Sequence, residues 1–257
     1  MNMEIYLAGT SSYSKFMFAE DSPGRVALEK YKPNLLESFA TMGKDVEFVR
    51  EIAPSNFMLD SGAFSYMNGQ PTDKVDWDEY VSRYIDYINQ KDVKLYYELD
   101  IDSIVGYDRV LEIRKHIENN TNTPPIPVWH KSRRVDEFKK MCKDYDYVAI
   151  GGFVTQEIKK TEYDKIPALI NYAHKCNCKI HGLGFTSAKW LQILHFDSVD
   201  STGWLSGTKF KGCYKFNGVE LTKIPLSDNL RIKDYKSLGT HNFIEWCKFI
   251  EYARRHL

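Results

Sequence analysis

The chain has 257 residues, of which 43% are hydrophobic, so it is long enough to bury a sizeable core in one large domain. Lysine plus arginine and aspartate plus glutamate number 35 each, and the formal net charge is +0 at pH 7. This balance excludes a protein that coats nucleic acid by its overall charge, but it does not exclude a local basic patch.

The cysteines and the N-terminus indicate the class of protein. Five cysteines without regular spacing do not fit a secreted disulfide framework, and no further ligands follow Cys176 and Cys178 at zinc-site spacing. Residues 1–10 lack a basic stretch followed by a long apolar run, and no apolar run approaches the length of a membrane span. We therefore expect a cytoplasmic protein with reduced thiols and no membrane contact.

Short β-rich runs alternate with longer runs of helical periodicity. The predicted strands are Glu4–Ala8, Asn56–Leu59, Lys94–Leu99, Ile126–Trp129, Tyr147–Ile150, Lys179–His181 and Ser198–Val199, with a candidate eighth within Val219–Ile224. The predicted helices are Gly24–Met42, Asp76–Gln90 with Asp76 as its cap, Tyr107–Glu118, Val135–Tyr145, Tyr163–His174, Ala188–His195 and Asn242–Arg255. Repeated β-then-α order predicts a parallel sheet, and seven or eight such units favour a single-domain α/β fold, a TIM-type (β/α)8 barrel over residues 1–257.

Acidic residues and glycines follow the predicted strands. These residues are Asp60, Asp100, Asp102, His130, Gly151, Gly152, Gly184 and Asp200. In a parallel barrel the carboxyl ends of all strands meet on one face, where the active sites of this fold lie. Glycine at such positions lets the backbone approach a ligand closely. The pattern predicts a binding pocket at this face.

Each of these motifs also has an ordinary structural interpretation. Asp60 and Ser61 fit a strand-to-helix turn in which a side chain binds local amides, and Asp102 fits a helix cap. His130 fits either a structural histidine or a donor to a ligand carbonyl or phosphate. Asp100 follows an apolar strand, so its carboxylate is predicted at the pocket floor, accepting hydrogen bonds from N–H groups of a ligand.

Five motifs occur in a fixed order along the chain. They are Asp60-Ser61-Gly62-Ala63-Phe64, Asp100, Gly151-Gly152-Phe153, Leu183-Gly184-Phe185 and Ser198-Val199-Asp200-Ser201. Together they resemble the tRNA-guanine transglycosylase family, including its relatives that act on DNA. The resemblance implies a barrel that exchanges guanine in a polynucleotide for a 7-deazaguanine base such as preQ0.

The resemblance implies a role for each matching residue. Asp200 matches the nucleophile that forms a covalent aspartyl-glycosyl intermediate, and Asp60 matches the general acid/base. The implied base-binding residues are Phe64, Asp100, His130, Gly151, Gly152 and Leu183. Among these, Phe64 and Leu183 would lie on the two faces of the base, and Asp100 would bind its N–H edge. The Gly152 amide would contact the base carbonyl, and His130 stands near the position of a glutamine in the family.

The resemblance also bears on which polynucleotide is the substrate. Members of the family that act on tRNA carry a zinc site of three cysteines and a histidine after the nucleophile, whereas only Cys213 and Cys247 follow Asp200 here. This departure favours DNA over tRNA and implies neither a metal nor another cofactor. Residues that would contact phosphates are Lys131, Arg133, Arg134, Lys209, Lys211 and Lys215, although a solvated charged face is the common alternative.

The expected chemistry needs two carboxylates. One stabilises the positive charge that develops on the sugar and forms the covalent intermediate, while the other protonates the departing guanine. A duplex substrate would have to present the base flipped out of the stack. Two other classes stay open. One is a metal-dependent barrel hydrolase with His130, His181, Asp100 and Asp200 as ligands, and the other is an inactive base- or nucleic-acid-binding barrel.

Overall fold

A computed structural model describes residues 3–53, 56–67, 75–185, 187–205, 212–225 and 234–257. Eight parallel strands form its main sheet. They are β1 (Glu4–Ala8), β2 (Asn34–Ser38), β3 (Phe57–Asp60), β4 (Leu95–Tyr96), β5 (Val128–Trp129), β6 (Tyr147–Ile150), β7 (Lys179–Gly182) and β8 (Ser198–Ser201).

The sheet closes into a barrel. Its strand order is β4-β3-β2-β1-β8-β7-β6-β5, so only β4 and β5 remain as edges. A parallel bridge between Tyr97 and Ile126 joins these two edges. The Glu98 amide donates to the Ile126 carbonyl at 3.0 Å, and the Ile126 amide donates to the Tyr96 carbonyl at 2.8 Å. The prediction of a TIM-type (β/α)8 barrel is therefore confirmed.

Helices separate the strands along the chain. They are α1 (Ser14–Met17), α2 (Pro23–Tyr31), α3 (Lys44–Ile52), α4 (Ala63–Met67), α5 (Trp77–Gln90), α6 (Asp102–Val105), α7 (Tyr107–Asn120), α8 (Arg134–Asp144), α9 (Ile166–Lys175), α10 (Ala188–Leu191) and α11 (Tyr235–His256). The Asp76 carboxylate accepts hydrogen bonds from the amides of Asp78 and Glu79, which confirms that it caps α5.

The second strand corrects the prediction of a helix from Gly24 to Met42. Helix α2 ends at Tyr31, because Lys32 adopts a left-handed conformation with φ 46° and Pro33 follows it. Strand β2 then begins at Asn34. Asp60 and Asp200 consequently lie on the third and eighth strands of the barrel.

The candidate eighth strand within Val219–Ile224 is also wrong as a barrel strand. It lies in β10 (Leu221–Pro225), which pairs antiparallel with β9 (Gly212–Phe216) in a separate two-stranded sheet. All but the first residue of β10 are exposed, whereas a strand inside a parallel barrel is covered on both faces. The hairpin packs on α11.

Two apolar layers hold the barrel. The interior contains Tyr6, Ala8, Leu36, Met58, Tyr97, Ile126, Val128 and Ala149. A larger layer lies between the strands and the helices, and α11 contributes Phe243, Trp246 and Phe249 to it. All five cysteines are free thiols. Among the described residues, no helix combines the length and apolarity that crossing a bilayer requires.

Candidate active site

Three carboxylates gather at the carboxyl ends of the barrel strands. Asp60 ends β3, Asp100 follows β4 and Asp200 lies near the end of β8. Asp100 is 6% exposed and Asp200 is 7% exposed. Burial, together with the negative charges of Asp100 and Asp200, raises the pKa of Asp60 to about 7. The structure therefore places the two predicted catalytic aspartates and the predicted base-binding aspartate close enough for the charges of Asp100 and Asp200 to act on Asp60.

A glycine turn sets the position of Asp60. The Gly62 amide donates to Asp60 Oδ2 at 3.1 Å, and Gly62 adopts φ +84°. A Cβ at position 62 would lie 2.4 Å from Ala40 Cβ, so only glycine fits this turn. The Tyr80 hydroxyl donates to the Ser61 carbonyl at 2.6 Å and holds the turn in place. Phe64 is the second residue of α4, which begins directly after this turn, but its side chain lies outside the part of the structure that is described.

The raised pKa of Asp60 predicts a pH effect on stability. Its pKa in the unfolded chain is about 4, so between pH 4 and 7 the folded state binds the proton more tightly. The free energy of unfolding should therefore fall as the pH rises through this range. Urea unfolding of the wild type and of Asp60→Asn at several pH values measures the difference. The variant should lack this part of the slope, and equal slopes would contradict the raised pKa.

Asp200 is held through one of its two oxygens. His181 Nε2 lies 3.1 Å from Asp200 Oδ1, and the Gly184 amide donates to the same oxygen at 2.6 Å. Within the described part of the chain, no hydrogen-bond donor contacts Asp200 Oδ2. Leu183 is half-buried beside this site and packs against the barrel interior. Oδ2 is therefore the oxygen of Asp200 that a ligand can reach.

His130 bridges two acidic side chains. Its Nε2 lies 3.0 Å from Asp100 Oδ2, and its Nδ1 lies 3.3 Å from Glu157 Oε2. The Ser132 amide donates to the other oxygen of Glu157 at 2.7 Å. Both ring nitrogens thus face carboxylates, so His130 keeps no N–H for the ligand carbonyl or phosphate that was one of its predicted partners. Glu157 was not among the predicted site residues, because nothing in its spacing from the strand ends indicates this contact.

These contacts keep His130 charged. Burial lowers the pKa of His130, but the hydrogen bonds to Asp100 and Glu157 outweigh it and raise the pKa to about 9. The hydrogen bond from His130 in turn lowers the pKa of Glu157 to about 2. Gly151 provides the space for the ring, since a Cβ there would lie 2.6 Å from His130 Cε1. His130 is therefore an imidazolium at neutral pH.

Removing the charge of Glu157 tests this assignment. In Glu157→Gln the pKa of His130 should fall by at least about one unit, because a carboxylate that stabilises the imidazolium is replaced by a neutral amide. NMR titration of the His130 ring resonances measures the change. Glu162→Gln is a matched control, since Glu162 pairs with Lys131 instead. An unchanged His130 pKa in Glu157→Gln would contradict the assignment.

Gly152 supplies a backbone amide next to this group. It adopts φ +90°, and its carbonyl accepts a hydrogen bond from the Ile158 amide at 3.1 Å. Its own amide has no acceptor among the described residues. A buried amide without an acceptor fits a partner on the ligand, such as a base carbonyl.

The predicted phosphate contacts after His130 do not form one basic surface. Arg133 is 7% exposed and is paired with Glu98 at 2.8 Å and Asp102 at 3.1 Å, so the structure does not leave it accessible to a phosphate. Asp102 accordingly binds Arg133 and makes no side-chain cap to its helix. Lys131 is exposed but pairs with Glu162, and Arg134 is exposed.

The second predicted phosphate cluster includes one described residue, Lys215. Lys209 and Lys211 lie outside the described residues. Lys215 is exposed on β9, where the amides of its neighbours Tyr214 and Phe216 donate to Asn242 and Glu245 of α11. Lys215 therefore lies alongside α11 and not in a loop that follows a barrel strand.

Metal ligation was the other predicted use of the histidines. Among the described residues, no group of three or more histidine, cysteine, aspartate or glutamate side chains is placed to hold a metal ion. His130 and His181 each bind a carboxylate of the site.

Comparison with known proteins identifies the architecture. No protein-family model and no curated protein sequence matches the chain. Among solved structures, the chain is similar to a candidate fructose-1,6-biphosphate aldolase from Coccidioides immitis, with a TM-score of 0.56 and 10% sequence identity. The similarity covers 99% of this chain and 90% of that chain. At this identity the similarity shows the fold alone, and the chain is a TIM-type (β/α)8 barrel.

Proposed function

We propose that the protein is a pentosyltransferase that exchanges guanine in a polynucleotide for a 7-deazaguanine base such as preQ0. DNA is the favoured polynucleotide, and tRNA is the alternative. The observation that carries the proposal is the electrostatic coupling of Asp60 to Asp100 and Asp200 at the ends of three barrel strands. Pairs of carboxylates with different proton affinities are what cleavage of a glycosidic bond requires.

Asp200 is the proposed nucleophile. Its Oδ2 attacks the anomeric carbon C1′ of the target nucleotide, and the bond from C1′ to guanine breaks with its electrons on the base. The product of this step is a glycosyl ester of Asp200. The incoming base then attacks C1′ from the vacated side and releases the Asp200 carboxylate. Two displacements at C1′ retain its configuration.

Asp60 is the proposed proton donor and acceptor. The leaving guanine takes a proton from Asp60, and the resulting carboxylate removes a proton from the incoming base. A pKa of about 7 suits both roles, because the protonated and charged forms of Asp60 are then both well populated near neutral pH. The protein itself supplies both groups that this chemistry needs.

Asp100 is the residue proposed to recognise the base. His130 holds its Oδ2, which leaves Oδ1 to accept from N–H groups on the edge of a purine. The Gly152 amide is suited to the base carbonyl, and Leu183 and Phe64 are proposed for its two faces. Asp100, oriented by His130, favours guanine over adenine, because adenine offers a ring-nitrogen acceptor where guanine offers an N–H.

Incorporation of labelled guanine tests the proposal. The protein is incubated with radiolabelled guanine and either double-stranded DNA, single-stranded DNA or tRNA, and label in the polynucleotide is counted. We expect label in DNA, and unlabelled preQ0 should chase it out. Label in tRNA alone would reverse the preference between the polynucleotides. The absence of label from every polynucleotide would overturn the proposal, and metal analysis of the same sample would then examine the hydrolase alternative.

A further inference from the structure

A row of buried polar side chains extends from Asp200 into the barrel. Asp200 Oδ1 lies 3.1 Å from His181 Nε2, and His181 Nδ1 lies 2.5 Å from Ser198 Oγ. The Ser198 hydroxyl also bonds to the Tyr147 hydroxyl. His181 is 0% exposed and Ser198 is 1% exposed. These four side chains, from β6, β7 and β8, form a continuous relay that the proposed reaction steps do not yet use.

The direction of the hydrogen bonds in this relay follows from its two ends. Burial raises the pKa of Tyr147 well above its ordinary value, so its hydroxyl stays protonated and donates to Ser198. The single hydrogen of Ser198 is then available to His181 Nδ1, and the ring proton lies on Nε2, facing the Asp200 carboxylate. If the ring proton lay on Nδ1 instead, the lone pair of Nε2 would face a carboxylate oxygen of Asp200. One neutral tautomer of His181 therefore satisfies every group.

Aromatic rings hold the imidazole in this position. The rings of Tyr97, Tyr6 and Tyr147 contact His181 edge to face, with centroids 5.4, 6.1 and 6.5 Å away. The ring is thus enclosed inside the barrel, and its Nε2 is aimed at Asp200 by packing as well as by hydrogen bonds.

We propose that His181 is a positioning residue for Asp200, and that Ser198 and Tyr147 keep its proton on Nε2. This inference rests on the proposed function in assigning Asp200 as the nucleophile. The His181 N–H and the Gly184 amide hold Oδ1, so that Oδ2 is presented to C1′. When the glycosyl ester breaks down, the same two donors face the negative charge that returns to Asp200. Their effect should therefore fall on kcat rather than on KM.

The tautomer of His181 can be measured without any substrate. Long-range ¹⁵N–¹H NMR of the uniformly labelled full chain distinguishes a protonated Nε2 from a protonated Nδ1. We expect a protonated Nε2 and a bare Nδ1 in the wild type at neutral pH, and a mixture of tautomers in Ser198→Ala. A wild-type ring protonated at Nδ1 would overturn the proposal, and so would a Ser198→Ala variant with the wild-type tautomer.

Kinetics of base exchange test the consequence for Asp200. Ser198→Ala and Tyr147→Phe should each lower kcat about 10-fold, with KM changed less than about twofold, since each removes one link of a buried relay. The double variant should lose little more than either single variant, because both act through His181. His181→Gln, which keeps an N–H donor near the Nε2 position, should be more active than His181→Leu.

Tyr145→Phe is the matched control. Tyr145 also donates its hydroxyl to a partly buried side chain, that of Glu118, but it lies outside the relay, so kcat should not change. Equal kcat values for Tyr147→Phe and the wild type would overturn the positioning role. If the wild type exchanges no base, the proposed function fails, whereas the NMR result still decides whether the relay sets the His181 tautomer.

Discussion

Asp200→Asn should lower the rate of base exchange by about 10³-fold or more, because an amide oxygen or nitrogen at the Oδ2 position is a poor nucleophile. The side chain keeps its shape, and its Oδ1 still accepts from His181 and Gly184, so the fold should be retained. Single-turnover incorporation of labelled guanine measures the rate. Gel-shift affinity for DNA should change by no more than about twofold, since binding does not require the attack on C1′.

Asp197→Asn is the control for this variant. Asp197 directly precedes β8, at the opposite end of this strand from Asp200. Its carboxylate accepts from His174 Nε2 at 2.9 Å and from the Ile180 amide at 2.7 Å. Asp197→Asn should leave the rate of base exchange within about twofold of the wild-type rate. If Asp200→Asn exchanged the base at the wild-type rate, Asp200 could not be the nucleophile. A covalent DNA adduct that forms on the wild type and not on Asp200→Asn would support it directly.

Glu98→Ala should lower the free energy of unfolding by about 3–5 kcal/mol, because it leaves buried charges without their partner. Glu98 is 0% exposed and binds Arg114 through one oxygen at 2.5 Å and Arg133 through the other at 2.8 Å. The second oxygen also accepts from the Val128 amide at 2.8 Å. Urea unfolding of the wild type and the variant measures the loss.

The position of Glu98 explains why its loss should also affect the site. β4 and β5 have two residues each, and their junction depends on the Tyr97–Ile126 bridge. Glu98 adds a side-chain hydrogen bond to this junction, two residues before Asp100 and alongside the strand that leads to His130. Loosening the junction should therefore raise KM for the polynucleotide, through Asp100, in addition to lowering stability.

Glu112→Ala provides the comparison for Glu98→Ala. Glu112 pairs with Arg109 on the surface, where both side chains are well exposed, so its removal should cost less than about 1 kcal/mol. A loss of similar size in both variants would show that the buried network around Glu98 contributes no more than a surface pair does. A loss confined to Glu98→Ala would support the junction as the structural basis for placing Asp100 beside His130.

The sequence predicted most of the barrel from local patterns. Short β-rich runs that lead into Asp, Gly or His indicated seven of the eight strands, and the Asp76 cap was predicted at the correct residue. β2 was missed because Leu35 and Leu36 fit a helical spacing as well as a strand, and only pairing with β1 and β3 decides between them. Val219–Ile224 fits a strand but pairs in a hairpin outside the barrel.

The basic residues show a second limit of local patterns. Lys131, Arg133 and Arg134 look alike in the sequence, but the structure buries Arg133 against Glu98 and leaves the other two exposed. A charge run contains no information about which of its members turns inward. That choice depends on a buried carboxylate 35 residues earlier in the chain.

The sequence by itself determined seven of the eight barrel strands, their alternation with helices and the identity of the acidic residues at the strand ends, since these follow from short-range periodicity and from the chain direction in a parallel sheet. Only the tertiary structure decided which groups touch these acids. Glu157 on His130, His181 on Asp200, and Ser198 with Tyr147 behind it are contacts between separate strands and loops. They arise from barrel closure, which sets side chains distant in sequence at hydrogen-bonding distance and shifts the pKa values of Asp60 and His130.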